Sequence, residues 1–350
     1  MKILIITLHA MHNPGSVFQA YALQEYLNKQ GREAVILDYR PDYFYTEGSA
    51  YKLLFKKILF YRSYNNRNNK FAGFVSSNLN LTKLYKSYTE IANDTFSYDL
   101  YMVGSDQLWN TDFECGKDPA FYLKFIKEGR KVSYSTSIGK AEYDIGIENI
   151  LKKNLSDFEN IAVREKSTSV YLSELLGRDV KWVCDPVFLL SVEDYNKFVG
   201  KRPVDEPYVM VYMSPKSEQL DKIVSYYKHK GYKIVLVGGF TNRCMCDIHV
   251  KDAGPEDFLT YIYYADMIVS TSFHATAFCH IFHKKFLSLI PNRNGERIIS
   301  LLEKSGLLNR AISSPQNNYD IGLEEINWTQ VDGNLCDYLE DSMDYLKHII

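Results

Sequence analysis

Short apolar runs closed by small or polar residues alternate along the chain with segments of helical spacing. Lys2–Leu8 reads as a buried strand. Ser16–Gln30 reads as a helix whose apolar side is Val17, Tyr21, Leu23 and Leu27, with Gly31 terminating it. Ala34–Asp38 is a second strand. Further strands are expected at Tyr98–Val103, running into Gly104–Asn110, and at Lys131–Tyr134, running into Ser135–Gly139. Asn160–Val163 runs into Arg164–Ser167 and a helix, and Val180–Cys184 runs into Asp185–Pro186. Strands spaced by helices in this way predict one parallel-type sheet.

The pattern breaks between Val187 and Pro207, where a helix over Val192–Val199 and the segment Lys201–Pro207 lead to a second set of strands. Tyr208–Tyr212 ends at Ser214–Lys216, and Lys233–Val237 ends at Gly238–Gly239. Pro255 opens a helix with Glu256 and Asp257 in its first turn, as the helix dipole prefers. A strand within Tyr264–Val269, a strand at Lys285–Ile290 and a helix at Arg297–Leu302, ended by Gly306, follow. A last helix carries Val331, Leu335, Tyr338, Leu339 and Leu346 on one side, so it packs on the body. The expected division is 1–190, a linker at 191–206, 207–325, and a C-terminal helical segment at 326–350. Strands in both halves end in polar residues. This predicts an α/β protein of two doubly wound Rossmann-like domains facing across a cleft, the GT-B-like arrangement, which by analogy alone hosts many reactions.

Composition narrows the class. The chain has 350 residues, 46% hydrophobic and 24% charged, with a formal net charge of −2. That suits two globular domains and argues against a dedicated nucleic-acid binder. The apolar N-terminal run is broken by His9 and His12 without a cleavage site, and no apolar run approaches the roughly 20 residues of a spanning helix. The expectation is a cytoplasmic protein, at most peripheral on the inner face of the plasma membrane. The six cysteines show no secreted framework, and Cys244 and Cys246 with His249 do not have zinc spacing, so no metal is expected. The loop His9–Gly15 holds one glycine where a dinucleotide fingerprint needs three, so no NAD is expected. Residues 48–89 contain no Asp or Glu but eight Lys or Arg among aromatics. An amphipathic helix at 51–64 and a mobile loop at 65–69 are predicted there. Within that stretch, 51–70 reads either as a solvated basic face or as a surface for anionic headgroups or a lipid-linked diphosphate.

At Ser270–Phe278 a strand hands over to a helix N-terminus, placing Ser270, Thr271, Ser272 and His274 where free amides and the helix dipole favour an anion. The plain alternative is an N-cap with a packed histidine.

Together these segments resemble the polysaccharide pyruvyl transferase family. The resemblance runs through Asn13–Leu23, Gly104–Asn110, Ser133–Gly139, Val163–Ser167, Asp185–Pro186, Ser272–Phe278, Lys284–Phe286 and Arg297–Ile298, in the family's order. It implies transfer of a pyruvyl group from phosphoenolpyruvate, as co-substrate and with no other cofactor, to two hydroxyls of a saccharide in capsule or exopolysaccharide assembly. A cyclic ketal forms and phosphate leaves. The acceptor would be lipid-linked or nucleotide-linked. Some members read Ser-x-Arg-x-His at the positions of Ser270–His274, and here Ser272 stands where that arginine would be. Arg164, Lys285, Arg293 and Arg297 are the basic groups expected to meet the donor charge instead. In this scheme Arg164 holds the donor carboxylate bidentately and His274 gives a proton or hydrogen bond, while His280 and His283 are packing or solvent residues. Asp106 serves as base or hydroxyl-orienting carboxylate, Trp109 offers a sugar face, and Asn110 hydrogen-bonds. Asn13, Gly15, Ser16 and Gln19 hold acceptor hydroxyls or a diphosphate. For residues 104–110 the alternative is a loop held by an Asp cap and a buried Trp. A nucleotide-sugar glycosyltransferase and a catalytically silent donor-binding subunit remain the competing readings.

Overall fold

The computed structural model describes residues 1–45, 60–139, 145–241, 244–291, 295–316 and 318–350. The chain forms two compact units: Met1–Gly48, Val75–Leu190 and Asp337–Ile350 make the first, and Ser49–Phe74 with Ser191–Cys336 make the second.

In the first unit the apolar runs become β1 (Lys2–Ile6), β2 (Glu33–Ile36), β3 (Leu100–Val103) and β4 (Lys131–Ser133), a parallel sheet in the order β2-β1-β3-β4. A parallel pair, β5 (Ala162–Val163) and β6 (Lys181–Trp182), continues from β4 through the bridges Val132–Asn160 and Thr136–Val163. Between β1 and β2 runs α1 (Pro14–Lys29), which starts two residues earlier than the sequence pattern suggests. Pro14 opens it and the Asn13 side chain caps it by accepting from the Gly15 N–H. It is buried on nearly every side from Pro14 to Gln24, not on one apolar stripe. The core gathers Leu4, Ile6, Val103, Trp109, Phe121 and Phe158. In this unit the chain moves from β1 outward to β2, then returns to the other side of β1 for β3. The reversal makes the ends of β1 and β3 the place where a doubly wound sheet opens a crevice. Gly104 lets the chain pass close to β1 there: a Cβ would lie 3.0 Å from the Thr7 Cβ, tight enough that Thr7 would have to shift.

The second unit holds β7 (Tyr208–Tyr212), β8 (Lys233–Val237), β9 (Ile248–Val250), β10 (Met267–Ser270), β11 (Phe286–Leu289) and β12 (Ala311–Ile312), parallel in the order β12-β11-β10-β7-β8-β9. β9 and β12 escaped the sequence reading because each is two or three residues long and lacks an apolar run. Here the strand order reverses between β7 and β10, which pair with Ser270 beside Tyr212. The core is built from Val209, Val211, Leu236, Val269, Leu287 and Tyr227.

Residues 65–69, read from sequence as a mobile loop, lie inside α2 (Tyr61–Asn78). Aromatics overrode the asparagine-rich composition: Phe74 packs on Phe198 at 5.1 Å, and Phe60 stacks on Phe240 at 5.7 Å. Lys70 pairs with Asp257 at 2.8 Å and Asn66 donates to Asp252 at 3.3 Å. The part of the 51–70 stretch over 60–70 thus docks onto its own unit; 51–59 lies outside the described residues. Among the described residues no helix is long and apolar enough to cross a membrane.

Candidate functional site

In the first unit, polar side chains converge at the carboxyl ends of β1, β3, β4, β5 and β6. Asp106 follows β3 with φ 89°, a left-handed conformation that costs a non-glycine residue and persists only where the surroundings enforce it. Its Oδ2 accepts from Ser16 Oγ in the first turn of α1 at 2.6 Å, and its Oδ1 accepts from the Gln107 N–H at 2.9 Å. Arg164, after β5, is 3% exposed. Its guanidinium meets Asp185 at 2.7 Å, Glu165 at 3.6 Å and Asp106 at 3.7 Å. Burial by itself would lower the Arg164 pKa, but the three carboxylates outweigh it and raise the pKa above the ordinary guanidinium value. Ser105 donates to Asp185 at 3.0 Å and Ser137 donates to Glu165 at 2.7 Å. Three buried carboxylates therefore share one guanidinium.

The remaining residues expected on this side divide. Asn13 and Gly15 form the cap of α1, and Ser16 reaches Asp106. Gln19 is fully buried and its Nε2 donates to Thr7 Oγ1 and the Ser16 carbonyl, both at 2.8 Å, so it ties the loop to β1 from within. Trp109 is also a correction. It is fully buried, donates from Nε1 to the Phe121 carbonyl at 2.8 Å, and stacks on Tyr122 at 6.0 Å; its faces are core surface, not a sugar platform. Asn110 is buried, donating to Gln107 Oε1 and accepting from the Asp112 N–H. The plain reading of Trp109 and Asn110 holds, while Asp106 stands apart through its φ and its hydroxyl contact. Glu165 and Asp185 lay within the matching segments but were not singled out, because a carboxylate's convergence on a distant arginine has no local sequence signal.

In the second unit, Ser270 ends β10 and donates to the Tyr212 carbonyl at 2.7 Å, while accepting from the Ser272 N–H at 2.9 Å. Thr271 donates to the Met213 carbonyl at 2.5 Å, tying the loops after β10 and β7 together. Met213 has φ 51°, a second strained residue at a strand-order reversal. Ser272 caps α4 (Phe273–Ile281) by accepting from the Ala275 N–H at 3.3 Å. His274 therefore sits in the first turn of α4 and is 5% exposed. Of the basic groups expected here, Arg297 lies beside this turn, its guanidinium 6.0 Å from the Phe273 ring centre. Lys285 does not: it precedes β11, at the end of the sheet opposite Ser270, and pairs with Glu325 at 2.5 Å. Strand direction decides this, since the residue entering a parallel strand cannot reach the end its neighbour leaves from. Arg293 lies outside the described residues.

His280 packs and His283 faces solvent. His283 stacks on Trp328 at 4.8 Å and meets Asp332 at 3.2 Å. His280 faces the Thr276 carbonyl at 2.8 Å and Ser305 Oγ at 3.1 Å, and burial pushes its pKa down to about 4. The unfolded chain, with His near its usual value of about 6.5, then binds more protons than the native state below that pH. Stability should fall by about 3 kcal/mol as pH drops from about 6.5 to about 4. Urea unfolding at pH 7 and pH 4.5 should show that loss in the wild type and a smaller one in His280→Gln.

The family described as Polysaccharide pyruvyl transferase matches residues 13–293, and the chain belongs to it. Comparison with curated proteins finds no match. Among solved structures, the UDP-GlcNAc 2-epimerase from Methanocaldococcus jannaschii is similar at 12% identity and a TM-score of 0.54, over 97% of this chain and 93% of that one. The UDP-GlcNAc 2-epimerase from Neisseria meningitidis bound to UDP-GlcNAc is similar at 12% identity and a TM-score of 0.50, over 98% and 94%. At these identities the likeness establishes the fold: GT-B-like, with two parallel-sheet Rossmann-like domains.

Proposed function

We propose that this member of the polysaccharide pyruvyl transferase family moves a pyruvyl group from phosphoenolpyruvate onto two hydroxyls of a saccharide in a polysaccharide precursor, forming a cyclic ketal. The observation that carries the assignment of roles is the contrast in charge at the two strand-order reversals. In the first unit Asp106, Glu165 and Asp185 surround Arg164, leaving an excess of negative charge. A trianionic donor is repelled there, whereas sugar hydroxyls can donate to a carboxylate. In the second unit the stretch Ser270–Thr276 carries hydroxyls and an imidazole, no acid, and the positive end of α4. That suits a carboxylate and a phosphate.

The chemistry follows from these groups. One acceptor oxygen adds to C2 while the donor methylene takes a proton; phosphate then leaves with its C–O bond electrons, and the second oxygen closes the ring. Of the two hydroxyl protons, one is balanced by the new methyl group and the other leaves on phosphate. Asp106 orients and deprotonates an acceptor hydroxyl, in the place where it now accepts from Ser16. His274 gives a proton or hydrogen bond as charge develops on the donor.

A thermal-shift screen tests the donor directly, since a ligand of the native state raises apparent stability. Phosphoenolpyruvate should raise Tm, and UDP-linked sugars should not. His274→Gln should keep phosphoenolpyruvate affinity within a few fold and lower kcat by on the order of a hundredfold. Stabilisation by a UDP-sugar with none by phosphoenolpyruvate would sink the reading in favour of a glycosyltransferase. Donor binding without phosphate release across lipid-linked and nucleotide-linked acceptors would favour a silent subunit.

A further inference from the structure

The helix α2 lies in sequence between β2 and β3 of the first unit, yet residues 61–74 belong to the second. Its seat there is built closely. Gly254, just before α3 (Pro255–Tyr264), faces Lys70 so tightly that a Cβ would come within 2.6 Å of the Lys70 Cβ. Lys70 then pairs with Asp257 at 2.8 Å, in the first turn of α3. This contact sets the position of the preceding turn of α2 and of Arg67 upon it.

Arg67 is set among aromatic rings, its guanidinium carbon 5.5 Å from the centre of Phe71 and 5.9 Å from that of Phe240. Phe240 follows Gly238 and Gly239 in the turn that leaves β8, and Tyr64 packs on it at 6.1 Å. The electrostatic neighbours of Arg67 are Tyr212 and Tyr64, which partly offset a burial that lowers its pKa. Tyr212 is the last residue of β7 and lies beside Ser270 of β10. Phe240 leaves the carboxyl end of β8, β8 pairs with β7 and β7 with β10, so Arg67 lies at the end of the sheet where Ser270 closes β10. The strained Met213 is in the same turn.

We propose that Arg67 is the guanidinium that meets the anionic donor at the second unit's strand ends, in place of the arginine that Ser272 lacks. This rests on the phosphoenolpyruvate reading above. A guanidinium stripped of much of its water by aromatic faces interacts strongly with an arriving carboxylate or phosphate and can hold it bidentately. Delivering it on a separate helix also makes donor affinity depend on how α2 is docked, so Gly254 becomes a positioning residue although it touches no ligand.

Calorimetric titration of phosphoenolpyruvate into the wild type, R67M, R67K and G254A tests this, with urea midpoints measured in parallel. R67M keeps the apolar stem and should weaken phosphoenolpyruvate binding roughly tenfold or more, with the midpoint little changed. R67K should fall between, because a single ammonium cannot reproduce the fork. G254A should weaken binding while leaving Arg67 chemically intact. Wild-type binding that R67M leaves unchanged overturns the proposal; if R67M does not fold, unchanged binding in R67K does the same. If the wild type binds UDP but not phosphoenolpyruvate, the donor reading fails by itself. Arg67 then keeps its anion-binding role only if R67M weakens UDP by a similar factor. A wild type that binds neither overturns both.

Discussion

Asp106→Asn should lower turnover by on the order of a hundredfold or more while leaving phosphoenolpyruvate affinity within a few fold of the wild type. The substitution is chosen to remove basicity and little else. Asparagine keeps an oxygen for the Gln107 N–H and can turn its amide N–H to the Ser16 hydroxyl oxygen, and with aspartate it is among the side chains that best tolerate the left-handed backbone held here at φ 89°. The protein should therefore fold with nearly unchanged stability. In the proposed reaction it loses the carboxylate that takes the acceptor proton as the first C–O bond forms, an interaction made in the transition state and not in donor binding. Steady-state kinetics with a competent acceptor and calorimetry with the donor alone separate the two effects. A large loss of donor binding in Asp106→Asn would place this carboxylate on the donor and reverse the assignment of the units.

Arg164→Met should destabilise the protein by about 3–5 kcal/mol, the usual cost of removing one partner from a buried ion pair. The sequence suggested another outcome, a KM effect from a guanidinium holding the donor carboxylate. In the structure that guanidinium already faces Asp185, Glu165 and Asp106 inside its own unit, with each of these groups less than a tenth exposed. Taking it away leaves three carboxylates in a region with little water to screen them. Urea denaturation at neutral pH reads the loss, and Arg164→Lys should recover part of it by restoring charge without the planar fork. An unchanged urea midpoint together with a raised KM for phosphoenolpyruvate would return Arg164 to the donor. Because its NH2 lies 3.7 Å from Asp106 Oδ1, a milder loss of kcat is expected even where the variant folds.

Much of the architecture was legible in the chain. The runs at Tyr208–Tyr212 and Lys233–Val237 are strands with those bounds, and Pro255, Glu256 and Asp257 open a helix as the dipole requires. Local chemistry determined these, since an apolar β-branched run and a proline-acidic start mean the same thing in most surroundings. The handover at Ser270–His274 was readable for the same reason: a serine N-cap after a buried strand is a short-range signal. Trp109 shows the limit. Its sequence neighbourhood, rich in Asp, Gln and Asn, reads as a loop with an aromatic to offer, and only the folded chain shows Phe121, Tyr122 and Phe158 closing around it.

What the sequence by itself determined was most of the parallel strands, all but the short β9 and β12, with the polar residues that end them and the family to which they belong. What the tertiary structure decided was which of those polar residues share a place. Strand order picked out the ends of β1 with β3 and of β7 with β10, a property of the crossovers that no window of sequence contains. The direction of β11 removed Lys285 from the neighbourhood of Ser270–His274, and burial matched Arg164 with three carboxylates. Docking of α2 carried Arg67 to a unit its sequence position does not suggest. Propensity and capping act within a few residues, whereas charge pairing and packing act between segments far apart in the chain, and only the fold sets those distances.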